Sequence, residues 1–300
     1  MTILVTGATG NIGRHVVRGL VGAGQRVRAM VRDPRAARTR LPEGVELVHG
    51  DFTRPDTWPR ALKAVERVYL FPYAYQEPGS AGPGFTEEAV AAGVRRFVVH
   101  SAAAAGFAPS DDPSALGRHL EEERRAHRGL ETAVEATGRE WTHVRPGLLA
   151  ARALGWAGSI RAERTVREPY PASGYPLVHE ADVAEVAVAA LLTDEHLGAA
   201  YTVTGPAKVT QAEQVSAIGA AIGARVRFEE LTPSQARVRW LAEGCPPEMA
   251  DWLVELLAAA VEGTGALAPT GTYEEITGRP PRTFARWARD HAADFTGEAA

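Results

Sequence analysis

One cysteine, Cys245, stands in 300 residues. That scarcity excludes an internal disulfide framework and any cysteine cluster for zinc, and it fits a reducing compartment; a lone cysteine of this kind reads as a small packing residue. Lysine is nearly as rare, with only Lys63 and Lys208, and no function attaches to its scarcity. No His-Glu-x-x-His or comparable ligand spacing occurs, so no metal is expected. No apolar run reaches the length of a membrane span, and the opening MTILVTG carries neither a basic leader nor a cleavable apolar segment. The expectation is a cytoplasmic protein. The net charge is −4, with basic residues scattered along the chain, which is not the footprint of a nucleic-acid or anionic-membrane binder. A small-molecule ligand is the remaining expectation, for a monomer or a homodimer.

What is present is a globular composition, 45% hydrophobic and 23% charged, in a chain long enough for one large domain and a smaller companion. Short runs rich in Val, Ile and Leu read as buried strands: TILVT (2–6), RVRAMV (26–31), VELVH (45–49), RVYLF (67–71), RRFVVH (95–100) and WTHV (141–144). Amphipathic segments near 11–23, 55–64, 85–93 and 115–137 alternate with them. Strand and helix in strict alternation predict an α/β fold, a doubly wound parallel sheet covered by helices on both faces. A helix at 182–193, opened by Asp182 as N-cap, and the strand AYTVT (200–204) are expected to return to that sheet. After about residue 205 the pattern turns mainly helical, with segments at 210–222, 233–242, 247–262 and 282–292 and one strand-like run at 225–230. The division predicted is a dinucleotide-binding domain over 1–150, with 177–205 returning to it, and a mainly helical substrate lobe from 151–176 and 206–300.

The first strand runs directly into TGATGNIGRHVV, where Gly7, Gly10 and Gly13 have the G-x-x-G-x-x-G spacing before a helix. Glycines there permit the tight turn and the close approach of backbone to a pyrophosphate, and the helix N-terminus attracts the anion. Thr6, Thr9, Asn11 and Ile12 belong to the same loop. A dinucleotide that needs a free ribose is held by an acid after the second strand, but here Arg32 follows the strand directly. A guanidinium at that place suits a 2′-phosphate, so NADP(H) is the cofactor expected; Asp33, before Pro34, reads as a helix cap. Asp51 and Phe52, after the third strand, are placed to flank the adenine, and Phe71 and Pro72 close the fourth strand beside the loop.

The segment HLEEERRAHRGLE (119–131) poses the chemical question. With Leu116, Leu120, Leu130 and Val134 on its apolar stripe, the positions that complete the stripe at helical spacing are Glu123 and His127. A carboxylate and an imidazole facing inward are candidates for proton transfer, with His119 a further candidate one turn back. The alternative is structural: Glu–Arg pairs along a solvated face and an internal His127–Glu131 pair.

Taken in order, TGATGNIGRHVV, VRDP, GDF, AAGVRRFVVHSA, HRGLETAVEATGREWTHVRPG and HEADVAEVAVAALL resemble the NmrA-like atypical short-chain dehydrogenases. The likeness runs from residue 1 to about 220, and residues 277–295 resemble the tail of bacterial members. It implies an NADP-preferring Rossmann domain with a small carboxyl-terminal substrate lobe. It also implies Ser101 at the serine position of the catalytic set, and Pro146 and Gly147 beside the nicotinamide. The Tyr-x-x-x-Lys pair that reduces carbonyls in typical relatives is missing, and its columns fall on Glu123 and His127. Tyr73, Tyr75 and Trp156 are candidates for an aromatic substrate wall, and His179 for a group reaching the cleft. The leading expectation is an NADPH-dependent reductase of a carbonyl, quinone or conjugated small molecule. A nucleotide-sensing regulator without turnover, or a non-redox isomerase, cyclase or dehydratase, stays open beside it.

Overall fold

A computed structural model describes residues 1–71, 84–263 and 267–297. Six strands follow one another through the first half of the chain: β1 (Thr2–Val5), β2 (Arg26–Val31), β3 (Glu46–His49), β4 (Arg67–Leu70), β5 (Arg96–His100) and β6 (Glu140–Pro146). Two short strands, β7 (Thr165–Glu168) and β8 (Gly174–Tyr175), precede β9 (Ala199–Val203). The main sheet has the order β3-β2-β1-β4-β5-β6-β9, parallel throughout. This is the doubly wound arrangement read from the strand and helix alternation. Its central strands β1, β2, β4 and β5 are largely buried on both faces, which is why they appear in the sequence as mainly apolar runs.

Among the described residues, seven α-helices accompany this part of the chain: α1 (Gly13–Gly22), α2 (Pro34–Ala37), α3 (Trp58–Leu62), α4 (Gly84–Ala91), α5 (Ala115–Glu135), α6 (Ala157–Glu163) and α7 (Glu180–Leu192). On one face Val16, Val17 and Leu20 of α1 pack with Val183, Val186 and Ala187 of α7 against Ile3, Val5 and Ala29. On the other, Trp58, Leu62, Phe85, Leu130 and Val134 from α3, α4 and α5 cover Leu4, Val68, Phe97 and Val99. Helix α7 begins two residues earlier than expected. Its cap is His179, whose Nδ1 accepts from the Ala181 backbone N–H at 3.1 Å, because the Asp182 carboxylate is committed to the backbone N–H and guanidinium of Arg282.

The second lobe adds β10 (Val209–Thr210) and β11 (Arg227–Glu230), which pair with β8 and β7 respectively. Around them lie α8 (Gln211–Ala221), α9 (Pro233–Ala242), α10 (Pro247–Glu262), α11 (Thr272–Thr277), α12 (Phe284–Asp290) and α13 (Ala292–Thr296). Capping boxes at Thr210/Glu213 and Thr232/Gln235 start α8 and α9. Ile160, Val166, Val215, Ile218, Trp287 and Phe295 form this lobe's own core. No helix among the described residues is long and apolar enough to cross a membrane.

Arg96 fastens the sheet to its covering helix. It lies buried at the start of β5, with Nε 2.7 Å from Glu140 on β6 and one terminal nitrogen 2.6 Å from the Thr193 carbonyl beyond α7, while the other reaches Asp194. Arg96→Ala leaves buried carbonyls without a donor and opens a cavity, so unfolding should cost roughly 2–3 kcal/mol less in urea titration. An unchanged midpoint would show that the arginine contributes nothing to this junction.

Candidate functional site

The order of the sheet reverses between β1 and β4, and in such folds ligands bind outside the carboxyl ends of the strands at that switch point. Thr6 ties the two strand ends together there. Its backbone N–H and hydroxyl both donate to the Tyr69 carbonyl, at 3.0 and 3.1 Å, and the hydroxyl oxygen accepts from Phe71 N–H at 2.7 Å. Gly7 follows with φ of +60°, and a Cβ on it would lie 2.8 Å from the Phe71 ring. A Cβ on Gly13 would lie 2.1 Å from the Gly7 carbonyl oxygen. The loop therefore closes only with hydrogen at both positions, and this contact brings the N-terminus of α1 over the crevice.

A groove of about 410 Å³ opens beside that loop, lined by Thr6, Gly7, Thr9, Arg32, Asp51 and Phe71 among others. Asp33 caps α2, accepting from Arg35 and Ala36 N–H at 2.8 and 3.2 Å, so its carboxylate is spent on the helix. Arg32 and Arg40 both stand exposed along the groove. Arg40 lies nine residues beyond the strand end, and nothing local in the sequence singled it out. Asp51 accepts from the Thr53 backbone N–H and hydroxyl, which hold its carboxyl below the usual range. Phe52 lines the groove and packs edge-on against Phe85, 4.8 Å between centroids. A concave, glycine-floored groove with two free-standing guanidinium groups at one end fits a phosphorylated dinucleotide in shape and charge. Asn11 lies exposed on the loop, and Ile12 is buried as the N-cap of α1. Pro72, Tyr73 and Tyr75 lie outside the described residues.

Beyond the carboxyl ends of β5 and β6 a second cavity, about 140 Å³, is lined by Ala102, Leu120, Glu123, Pro146, Gly147 and Tyr175 among others. Its wall is largely apolar. Glu123 therefore reaches a cavity, as its place on the stripe implied. His127, one turn on, is buried and lines neither this cavity nor the groove. Burial pushes its imidazole down to about 4, against a partial upward pull from Glu131, one turn later. Ser101 is likewise buried, its backbone N–H bonded to the Val144 carbonyl.

These two residues border a polar layer beneath the cavity. Glu131, fully buried on α5, receives two hydrogen bonds from Arg145, at 2.8 and 2.7 Å, and one from Arg128 at 2.8 Å. Burial pushes this carboxyl up, but Arg145, Ser101 and Arg128 outweigh it and hold it at about 2. Glu131, Glu135 and His143 come close enough together to share a cation, yet Arg128 and Arg145 already occupy the two carboxylates. His100 ends β5 beside this layer, its Nδ1 2.7 Å from the Tyr69 hydroxyl, with burial and then His127 pushing it down to about 3. The sequence carried a signal for His100, the residue just before Ser101 at a strand end, that went unused.

The remaining candidates lie elsewhere. His119 stacks on Trp252 of α10, with centroids 3.9 Å apart. His179 sits at the cap of α7, 3.4 Å from Asp290. Trp156 lines a third cavity, deeper in the second lobe, and donates through Nε1 to Glu168 at 3.1 Å.

Because the loop has no room for a methyl group at Gly13, Gly13→Ala should weaken NADPH binding at least about tenfold in calorimetric titration. The exposed Gly129→Ala on α5, where nothing lies within 4 Å of the new methyl, should leave binding unchanged. Equal affinity in the two variants would contradict the loop's role.

The family model described as NAD(P)H-binding matches residues 7–194. The chain is 36% identical to the NAD(P)H azoreductase of Xenophilus azovorans, over 98% of this chain and 99% of that one. It is 37% identical to the (4-alkanoyl-5-oxo-2,5-dihydrofuran-3-yl)methyl phosphate reductase of Streptomyces griseus, over 99% and 100% of the two chains. Among solved structures, the NADPH-dependent quinone oxidoreductase of Escherichia coli complexed with NADPH superposes with a TM-score of 0.75. The match covers 96% of this chain and 99% of that one at 24% identity, a likeness of fold. With the loop geometry in place and relatives matched over nearly their whole length, the chain belongs to the NAD(P)H-binding family of NmrA-like atypical short-chain dehydrogenase/reductases.

Proposed function

We propose that this oxidoreductase takes NADPH in preference to NADH and reduces a planar, conjugated small molecule, a quinone being the type case, in the cavity beside Pro146 and Gly147. The division of labour follows the chain. Residues 1–150 with 177–205 hold the nucleotide, and 151–176 with 206–300 complete the acceptor site.

Thr6 and the turn from Gly7 to Gly13 would hold the pyrophosphate at the N-terminus of α1, Arg32 and Arg40 the 2′-phosphate, and Asp51 and Phe52 the adenosine side. Pro146, Gly147 and the Ser101 segment would form the floor beneath the nicotinamide. When bound, NADPH supplies hydride. The apolar wall of the cavity strips water from a flat acceptor and seats it against that floor.

The observation that carries the choice of acceptor is the make-up of that wall: among the described residues lining the cavity only Glu123 and Tyr175 carry an ionisable side chain, and no histidine or lysine stands there. The Tyr175 hydroxyl donates to the Leu256 carbonyl, and burial pushes it up to about 12. His127 is neutral and set back from the wall. A simple ketone leaves a localised alkoxide and requires a positioned proton donor or an oxyanion site. A quinone that gains one hydride becomes a delocalised hydroquinone anion and can take its one proton from water, so the balance closes without a side-chain acid. The names of the two curated relatives point the same way, since an azo group and an alkanoyl-oxo-dihydrofuran are both conjugated acceptors.

Two outcomes follow. Arg32→Ala and Arg40→Ala should each weaken NADPH binding by about tenfold, the scale of one charge-assisted hydrogen bond, while NADH binding changes little; equal losses for both nucleotides would sink the 2′-phosphate assignment. With a neutral quinone, kcat should stay level from about pH 6 to 9, because His127, with its pKa depressed, is already neutral throughout that range. A fall in kcat as pH rises through about 6.5 would identify an imidazolium donor instead.

A further inference from the structure

The third cavity, about 390 Å³, continues from the acceptor cavity into the second lobe, and Leu148, Tyr175 and Leu256 line both. Arg152, in the turn of 3₁₀ helix Ala150–Trp156, stands in its wall. Its side chain is exposed where it lines the cavity, and the protein atoms around it lower its pKa by desolvation, against upward pulls from Tyr175, Glu123 and Glu168. The Arg152 guanidinium makes no hydrogen bond or ion pair with any of the described residues. Among those residues the cavity wall also carries Arg239, Glu243 and Glu168, the last with its Oε2 buried and without a hydrogen-bond partner. Arg239 donates to Glu243 at 2.8 Å and to the Arg167 carbonyl. Glu168 accepts from Trp156, and its burial favours the neutral form. A guanidinium in a cavity wall with no hydrogen-bonded carboxylate among the described residues keeps its N–H donors for the anionic group of a ligand.

We propose that this inner cavity is a second subsite of the acceptor pocket, in which Arg152 binds the oxyanion of an organic acceptor, a sulfonate, carboxylate or phosphate group carried a few bonds away from the conjugated ring. The inference rests on reading the outer cavity as the acceptor site. The geometry supports the division: the small outer cavity takes the reducible ring beside Gly147, and Trp156, Trp240 and Leu253 enclose the remainder of the molecule. A planar guanidinium matches an oxyanion with two parallel N–H donors, which a lysine cannot reproduce. Arg152 is thus a specificity residue, and its removal should not alter hydride transfer to a neutral ring.

The test compares para-naphthoquinone with its monosulfonate as acceptors for wild type, Arg152→Gln and Arg152→Lys, alongside calorimetric binding of naphthalenesulfonate to the NADP⁺-saturated protein. Arg152→Gln should raise KM for the sulfonate at least about tenfold, with KM for the neutral quinone and both kcat values within about twofold. Naphthalenesulfonate affinity should fall by a similar factor, and Arg152→Lys should recover part of both effects. Equal KM changes for the two quinones, or naphthalenesulfonate bound as tightly by Arg152→Gln as by wild type, overturn the subsite. Inorganic sulfate that binds as tightly as naphthalenesulfonate also overturns it, since the site would then hold a free anion and no acceptor. If wild type binds naphthalenesulfonate through Arg152 but reduces neither quinone, the anion subsite stands and the reductase reading falls.

Discussion

Everything in the nucleotide half depends on how closely the backbone at Gly13 approaches the carbonyl of Gly7. Only a hydrogen fits between them, so α1 starts directly above the end of β1 and its N-terminus faces the crevice where the sheet order reverses. Thr6 adds the lateral link, bonding the Tyr69 carbonyl and the Phe71 amide and so holding the ends of β1 and β4 at one height. With that corner fixed, the ends of β2 and β3 follow by parallel pairing. They bring Arg32 and Asp51 to the same edge, and Asp33 is drawn off to cap α2, leaving that end of the groove positive.

The chemistry half is governed by a different balance. Putting a carboxylate as deep as Glu131 into the fold is expensive, and the chain offsets it with Arg145 and Arg128. The result is a rigid, hydrogen-bonded layer joining α5 to β6 directly beneath the Pro146–Gly147 turn. His100 and His127 belong to that layer and are held neutral by burial. The polar residues of α5 that look catalytic in the sequence therefore divide by depth. Glu123 meets the cavity, while His127 and Glu131 support the floor. On the proposed reading of that cavity as the acceptor site, positioning and exclusion of water are what the protein contributes, and the acceptor itself stabilises the charge it receives.

The sheet was legible in the sequence because strands buried on both faces run mainly apolar, and the glycine loop because its glycines sit where a strand meets a helix. Asp33 was legible as a cap because Pro34 follows it. Less was visible wherever one residue's role depends on a distant partner. Asp182 has the chemistry of an N-cap, but Arg282, a hundred positions away, binds it, and His179 takes the cap. The stripe on α5 could be counted, yet whether a stripe residue meets a cavity or the core depends on the tilt of the helix, so His127 and Glu123 could not be told apart by periodicity. Strand β7 is only four residues long and alternates with charge, so it carried no apolar run to find. Arg152 and Tyr175 lie in separate segments, and only the folded second lobe brings them to one wall.

The central claim is that bound nicotinamide passes hydride to a conjugated acceptor lodged at the ends of β5 and β6. Single-turnover mixing of the NADPH-loaded protein with para-naphthoquinone tests it without reference to any variant. The account predicts exponential loss of reduced-nicotinamide absorbance, at a rate that saturates with quinone and slows when deuteride replaces the transferred hydride. Tight NADPH binding with the nicotinamide still reduced after prolonged contact with saturating quinone would contradict it.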